Sequence, residues 1–142
     1  MRRVSAFVFA IVVAGALAAI LRAQTPPVQN PGGWTIPPTA AEEKNPVQPT
    51  EKVLTAGKKI FTEQCQRCHG VAGKGDGPDA DPDYRPDDLS DMKRADRNPD
   101  GVMFYKVWNG RAKPKMPAFK NDLTKTEVWT VVLYAKTLRR AS

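Results

Sequence analysis

Two thiols and one imidazole fall within five consecutive residues, Cys65-Gln66-Arg67-Cys68-His69. They are the only cysteines and the only histidine in the 142-residue chain. C-x-x-C-H is the attachment signature of c-type haem. Thiols three positions apart at a helix end can reach the two vinyl groups of one porphyrin as thioethers. The next residue, His69, then meets the iron from the same face. A redox-active C-x-x-C normally opens a helix in a thioredoxin-like βαβ pattern. Here the pair closes a helix, and no strands precede it. A plain disulfide explains the cysteines and leaves the histidine without a role. A structural zinc site needs four ligands, usually Cys and His, and only three exist. Ser-His-Asp chemistry would have to share the same histidine.

An iron that only shuttles electrons needs a second axial ligand. With no second histidine and no spare thiol, methionine is the remaining soft donor. Met1 is the initiator, Met92 lies in a polar stretch, and Met103 falls inside an apolar helical segment. Met116 sits in the loop KPKMPAF, where Pro114 and Pro117 stiffen the backbone. It reads either as an iron ligand or as a loop side chain plugging the core.

These groups need elements to position them. Thr50 can cap a helix starting at Glu51. Val53, Gly57, Ile60, Phe61 and Cys65 then share one face and lead into CQRCHG. Residues 70–98 are irregular and rich in Gly, Pro and Asp. Asn98 and Pro99 suit a helix start. The helix carries Val102, Met103, Phe104, Tyr105, Val107 and Trp108, and Asn109-Gly110 ends it. Thr124 with Glu127 is a capping box. It opens a last helix with an apolar face of Val128, Val131, Val132, Ala135 and Leu138. Lys136, Arg139 and Arg140 lie at that helix's C-terminal end, where cations complement the dipole. No strand pattern of useful length and no repeat is visible. The reading is an all-α domain over 50–142, three to four short helices with long loops. So small a set of helices has too little apolar surface to make a core alone, and a large apolar cofactor would complete it.

The first 49 residues read differently. Arg2 and Arg3 precede an uncharged run from Val4 to Leu21 that Arg22 ends. Residues 1–23 therefore read as an export signal peptide or as a retained N-terminal membrane anchor, since the run suits both. Either way the rest lies outside the cytoplasmic membrane, in the periplasm. Loss of Arg2, Arg3 and Arg22 would lower the formal net charge from +7 to +4. Residues 24–49 hold seven prolines and read as an extended, solvated linker. Trp34 and Ile36 are its only large apolar side chains and could dock onto the domain.

Gly57, Phe61, CQRCHG, Gly77-Pro78, the Met116-Pro117-Ala118-Phe119 loop and the final helix VWTVVLYAKTL together resemble a class I cytochrome c. The match covers about residues 50–140 in order and spacing. GKGDGP, from Gly73 to Pro78, is similar to small bacterial monohaem members more than to the mitochondrial protein. The resemblance implies one haem c, bound through Cys65 and Cys68, with His69 and Met116 as iron ligands. It implies that the first and last helices cross at Gly57 and Phe61 against Trp129, Val132 or Tyr134. It implies a proline whose carbonyl accepts from His69 Nδ1, best matched by Pro78, with Pro86 as the weaker candidate.

Charge is segregated along the domain. Residues 70–100 hold nine Asp against five Lys and Arg, and residues 101–142 hold nine Lys and Arg against two acids. Arg111, Lys113, Lys115 and Lys120 flank Met116 and read as a basic collar that steers acidic redox partners, or as a solvated loop. No nucleic-acid recognition motif accompanies them. Asp79, Asp81 and Asp83 start like a calcium loop, but Tyr84 and Ser90 occupy the positions that need Gly and Glu.

Three functions compete. The first is a monomeric one-electron carrier of a respiratory chain, not itself an enzyme. The second is the haem c subunit of a larger periplasmic dehydrogenase or oxidase. The third is a five-coordinate haem protein that binds a gas or peroxide, against which Met116 and the lack of a distal histidine argue.

Overall fold

A computed structural model describes residues 28–30 and 33–139 of the chain. The signal or anchor reading of residues 1–23 lies outside the described residues. Four α-helices follow a short hairpin. The hairpin pairs β1, Val28–Asn30, with β2, Trp34–Ile36, antiparallel, and a 3-10 turn at Pro38–Ala41 follows it. The helices are α1, Glu51–Gln64; α2, Gln66–His69; α3, Asp100–Asn109; and α4, Lys125–Thr137.

Local chemistry sets the helix ends. The Thr50 hydroxyl accepts from Val53 N at 3.3 Å and starts α1. Thr124 and Glu127 form both halves of the capping box that starts α4. At α3 the cap is Pro99, without a side-chain bond. Asn98 is occupied elsewhere: its Nδ2 donates to Arg94 O at 3.1 Å, and its Oδ1 accepts from Lys106 Nζ at 2.6 Å.

The core is helix on helix. α1 crosses α4 where Gly57 faces the Thr130 carbonyl and Tyr134. Phe61, 2 % exposed, packs on Tyr134 with ring centroids 5.4 Å apart. Burying such a ring contributes about 1.5–3 kcal/mol. Of the three residues expected opposite Gly57 and Phe61, Tyr134 takes the place. Trp129 turns to α3 and stacks on Phe104 at 4.2 Å, and Val132 clusters with Met103. The reason is the 100° step of the helix: neighbours on α4 serve two different partner helices.

The solvated-linker reading fails over its second half. Trp34, Ile36 and Ala40 are buried and form a cluster with Val102 of α3. Asn45 Nδ2 donates to the Trp129 carbonyl at 2.8 Å. A β-carbon on Gly101 would meet the Ala40 carbonyl at 2.0 Å, so glycine is what lets this strap lie flat on α3. Two large apolar side chains outweighed the proline content, because an exposed Trp-x-Ile has more to gain by burial than a solvated chain has in entropy.

A candidate haem site

One cavity of about 170 Å³ opens between α1, α3, α4 and the irregular segments. Well-packed interiors have few voids larger than a water molecule. Phe61, Cys65, Cys68 and His69 line it from the α1–α2 side, and Leu89, Met103, Val131, Val132 and Ala135 supply apolar wall. Met116, Pro117 and Phe119 close it from the loop after α3. The structure thus brings Cys65, Cys68, His69 and Met116 to one cavity.

The C-x-x-C-H turn is built by a break in helical geometry. α1 ends at Gln64, Cys65 has φ −117°, and α2 resumes for one turn. The following loop folds back on that turn: Gly75 N donates to His69 O at 2.8 Å, Gly77 N to Cys68 O at 3.2 Å, and Asp79 N to Arg67 O at 2.8 Å. These bonds satisfy the carbonyls that the short helix leaves over. A β-carbon on Gly77 would lie 2.2 Å from Arg67 O, so the GKGDGP spacing serves this wrap.

Both cysteines are free thiols. Burial, with a smaller push from Cys68, moves the Cys65 thiol up to about 12. Burial lowers the pKa of His69 against an opposing pull from the Asp87 carboxylate and backbone. The Asp87 groups bear on the ring, yet Nδ1 itself is buried without a hydrogen-bond partner.

Pro78 was expected to offer its carbonyl to His69 Nδ1. It is exposed and outside the cavity wall, whereas Pro86 and Asp87 are in that wall. The first bend after His69 is used up in wrapping α2. The chain returns at Pro86, whose carbonyl oxygen would lie 2.2 Å from a β-carbon on Gly75, and at Leu89, whose N–H donates to Gly73 O at 2.7 Å.

The Met116 loop is pinned at its base. Arg111 and Met116 exchange both backbone hydrogen bonds, 2.9 Å each way. Phe119 N donates to Val107 O at 3.1 Å, and Phe119 is buried. Met116 packs against the Trp34–Ile36–Ala40–Val102 cluster. The other cavity methionine, Met103, is on α3, and its sulfur accepts from Arg139 at 3.3 Å.

The basic collar divides. Lys113, Lys115 and Lys120 are exposed, while the Arg111 guanidinium lies 4.6 Å from the Trp34 ring centroid and donates to Pro114 O at 2.8 Å. Lys106, also in the wall, is pushed down to about 8, chiefly by burial. Asp79, the first acid of the failed calcium pattern, pairs with Arg67 at 2.6 Å.

The residues fit a porphyrin whose iron takes soft and imidazole ligands. Two thiols can bond vinyl groups, an imidazole stands in an apolar wall, and a thioether shares the cavity. Sequence reasoning missed Trp34, Lys106 and Asn98 as wall residues. A tryptophan in a polar, Pro-rich stretch was the one available signal.

Residues 54–139 match the family model described as Cytochrome c. No curated protein matches the chain significantly. A chain of the Kuenenia stuttgartiensis reducing HAO-like protein complex is 32% identical, with a TM-score of 0.58 over 67% of this chain. The match spans 47% of that longer chain. The KustC0563 c-type cytochrome is 25% identical, with a TM-score of 0.52 over 59% of this chain and 98% of its own. Cytochrome cL from the marine methylotroph Methylophaga aminisulfidivorans MPT shares the fold at 21% identity, a TM-score of 0.50, and coverage of 64% and 56%.

Proposed function

The chain belongs to the cytochrome c family, and from that premise we propose that it is a one-electron carrier of an extracytoplasmic respiratory chain. In this reading one haem c is bonded to Cys65 and Cys68, with His69 and Met116 as axial ligands. Electron transfer through haem is the activity the family implies. The bound haem supplies a one-electron iron couple.

The observation that carries the reading is the orphaned His69. A buried ring nitrogen without a partner costs about 1–3 kcal/mol. A metal on the other nitrogen would fix the tautomer and leave Nδ1 as the donor that a ligating histidine uses to set its orientation. The Asp87 backbone, which bears on the ring, is the acceptor available for Nδ1. Cys65 and Cys68 tether the cofactor, and the apolar wall excludes water. With Met116 as its second protein ligand the iron would have no open position for a substrate, which supports a carrier rather than an enzyme.

A second reading has its own support. The 32% identical structure is part of a protein complex and is about twice the length of the matched region. In that reading the chain serves as the haem c subunit of a larger periplasmic oxidoreductase. The native mass of the protein purified from its own cells separates the two.

Mass spectrometry after periplasmic expression with haem-attachment machinery tests the cofactor. The expected mass is that of the polypeptide plus one haem, with neither thiol free. An unmodified polypeptide with a Cys65–Cys68 disulfide would overturn the proposal.

A further inference from the structure

The strap N-terminal to α1 ends its buried course in the cavity wall. Trp34 is 5% exposed and lines the cavity, and Met116 packs against the cluster it forms with Ile36, Ala40 and Val102. The Trp34 ring also carries the Arg111 guanidinium at 4.6 Å. Arg111 in turn holds the Met116 loop at three points. Its backbone pairs with Met116 in both directions, and its Nε donates to Pro114 O. The strap is anchored independently of this contact, by the close fit of Ala40 on Gly101 and by Asn45 on Trp129.

We propose that Trp34 is a positioning residue for Met116: the docked strap clamps the loop, through the Trp34–Arg111 stack and direct packing, and so keeps the axial thioether in place. The inference rests on the reading of Met116 as the iron ligand. The physical need is clear. A thioether is a weak, neutral donor, and its loop carries three exposed lysines. Any opening of the loop admits water or another ligand. The loop's own anchors are the Arg111 pairing, the Phe119 plug and two prolines. A planar guanidinium stacked on an indole adds a directional hold to these, strongest where water is excluded. The Pro-rich segment thereby has a role in the redox site as well as a place in the chain.

The test uses the full-length holoprotein and four variants: Trp34→Ala, Trp34→Phe, Met116→Ala and Gly57→Ala. Gly57 is outside the cavity wall, so its variant controls for general loss of stability. The readouts are carbon monoxide binding to the reduced protein and imidazole binding to the oxidised protein. Both require the axial position to open, so the apparent affinity follows the open fraction. Loss of the stack is expected to raise that fraction, and both binding readouts, about tenfold in Trp34→Ala. Trp34→Phe, which keeps a ring under Arg111, should stay near the parent. Met116→Ala should bind both ligands without restraint, and Gly57→Ala should bind them as weakly as the parent despite lower stability.

If Met116→Ala opens the iron and Trp34→Ala does not, the strap is packing alone and the inference falls. If Gly57→Ala opens it as much as Trp34→Ala does, the effect is general loosening, and the inference again falls. If Met116→Ala leaves the iron closed, the ligand reading itself is wrong and the positioning role goes with it.

Discussion

Gly57 and Thr130 touch backbone to backbone: a β-carbon on Gly57 would sit 2.6 Å from the Thr130 carbonyl oxygen and 2.8 Å from Tyr134 Cβ. This contact brings α1 close enough to α4 for Phe61 to bury against Tyr134 and Val131.

Gly57→Ala should therefore force the helices apart. Overpacking at such a site costs about 1–3 kcal/mol. Denaturant unfolding of the holoprotein should show a lowered midpoint at unchanged m-value. A midpoint equal to the parent's would mean that the crossing tolerates an extra carbon.

The apo-chain should fold poorly. The cavity lies where a core would otherwise be, and its wall includes Phe61, Met103, Val131 and Val132. Circular dichroism of Cys65→Ala/Cys68→Ala should show most of the helical signal lost. Cooperative, parent-like melting of that variant would show that the helices need no cofactor.

Much of this was legible in the sequence, and the misses have physical causes. C-x-x-C-H, the capping box at Thr124 and the Thr50 cap are short-range patterns, set by neighbours in the chain. The exposed place of Pro78 was not legible, because spacing alone does not reveal that Gly75, Gly77 and Asp79 spend the first bend on α2's carbonyls. The strap failed because proline content describes local stiffness, whereas the burial of Trp34 depends on Val102, sixty-eight positions away. Trp129 and Val132 lie about 100° or more around α4 from Thr130 and Tyr134, and only tertiary packing decides which of these faces meets α1.

The capping box should make α4 acid-sensitive. The Thr124 backbone and hydroxyl both donate to Glu127 and hold its carboxyl below the ordinary value of 4.5. A depressed folded pKa means stability that is full above 4.5 and lost as pH falls through the folded value. Glu127→Gln should remove that part of the acid limb. Melting temperatures taken from neutral to acidic pH should therefore converge for parent and variant at low pH. Parallel curves would mean that the carboxylate adds nothing.

Salt should slow electron exchange with an acidic partner. Lys113, Lys115 and Lys120 are exposed beside Met116, whereas Arg111 is committed to Trp34 and Pro114. Exposed charges are screened beyond about 10 Å at about 0.1 M salt. Stopped-flow rates should fall with ionic strength, and Lys113→Glu/Lys115→Glu should flatten the dependence. A parent rate indifferent to salt would point to an apolar dock.

The two cavity methionines allow a direct comparison. Met103 is fixed in α3, 9% exposed, and its sulfur already accepts from Arg139. Met116 is on a loop whose base is tied by Arg111 and whose far end is held by Phe119. A loop can adjust its sulfur to an iron, whereas a helix side chain engaged by a guanidinium would have to give up that bond. A thioether donates poorly to Fe(III), so it favours Fe(II) and raises the reduction potential. Met116→Ala should lower the potential and let carbon monoxide bind the reduced protein readily at neutral pH. Met103→Ala should leave the iron closed and instead lower stability by about 2–5 kcal/mol, the cost of a large-to-small change in a core. At high pH, Lys113 or Lys115 can replace the lost sulfur, so the comparison belongs at neutral pH. An iron opened by Met103→Ala and not by Met116→Ala would place the ligand on α3 and make the KPKMPAF loop a cover for something other than its own methionine.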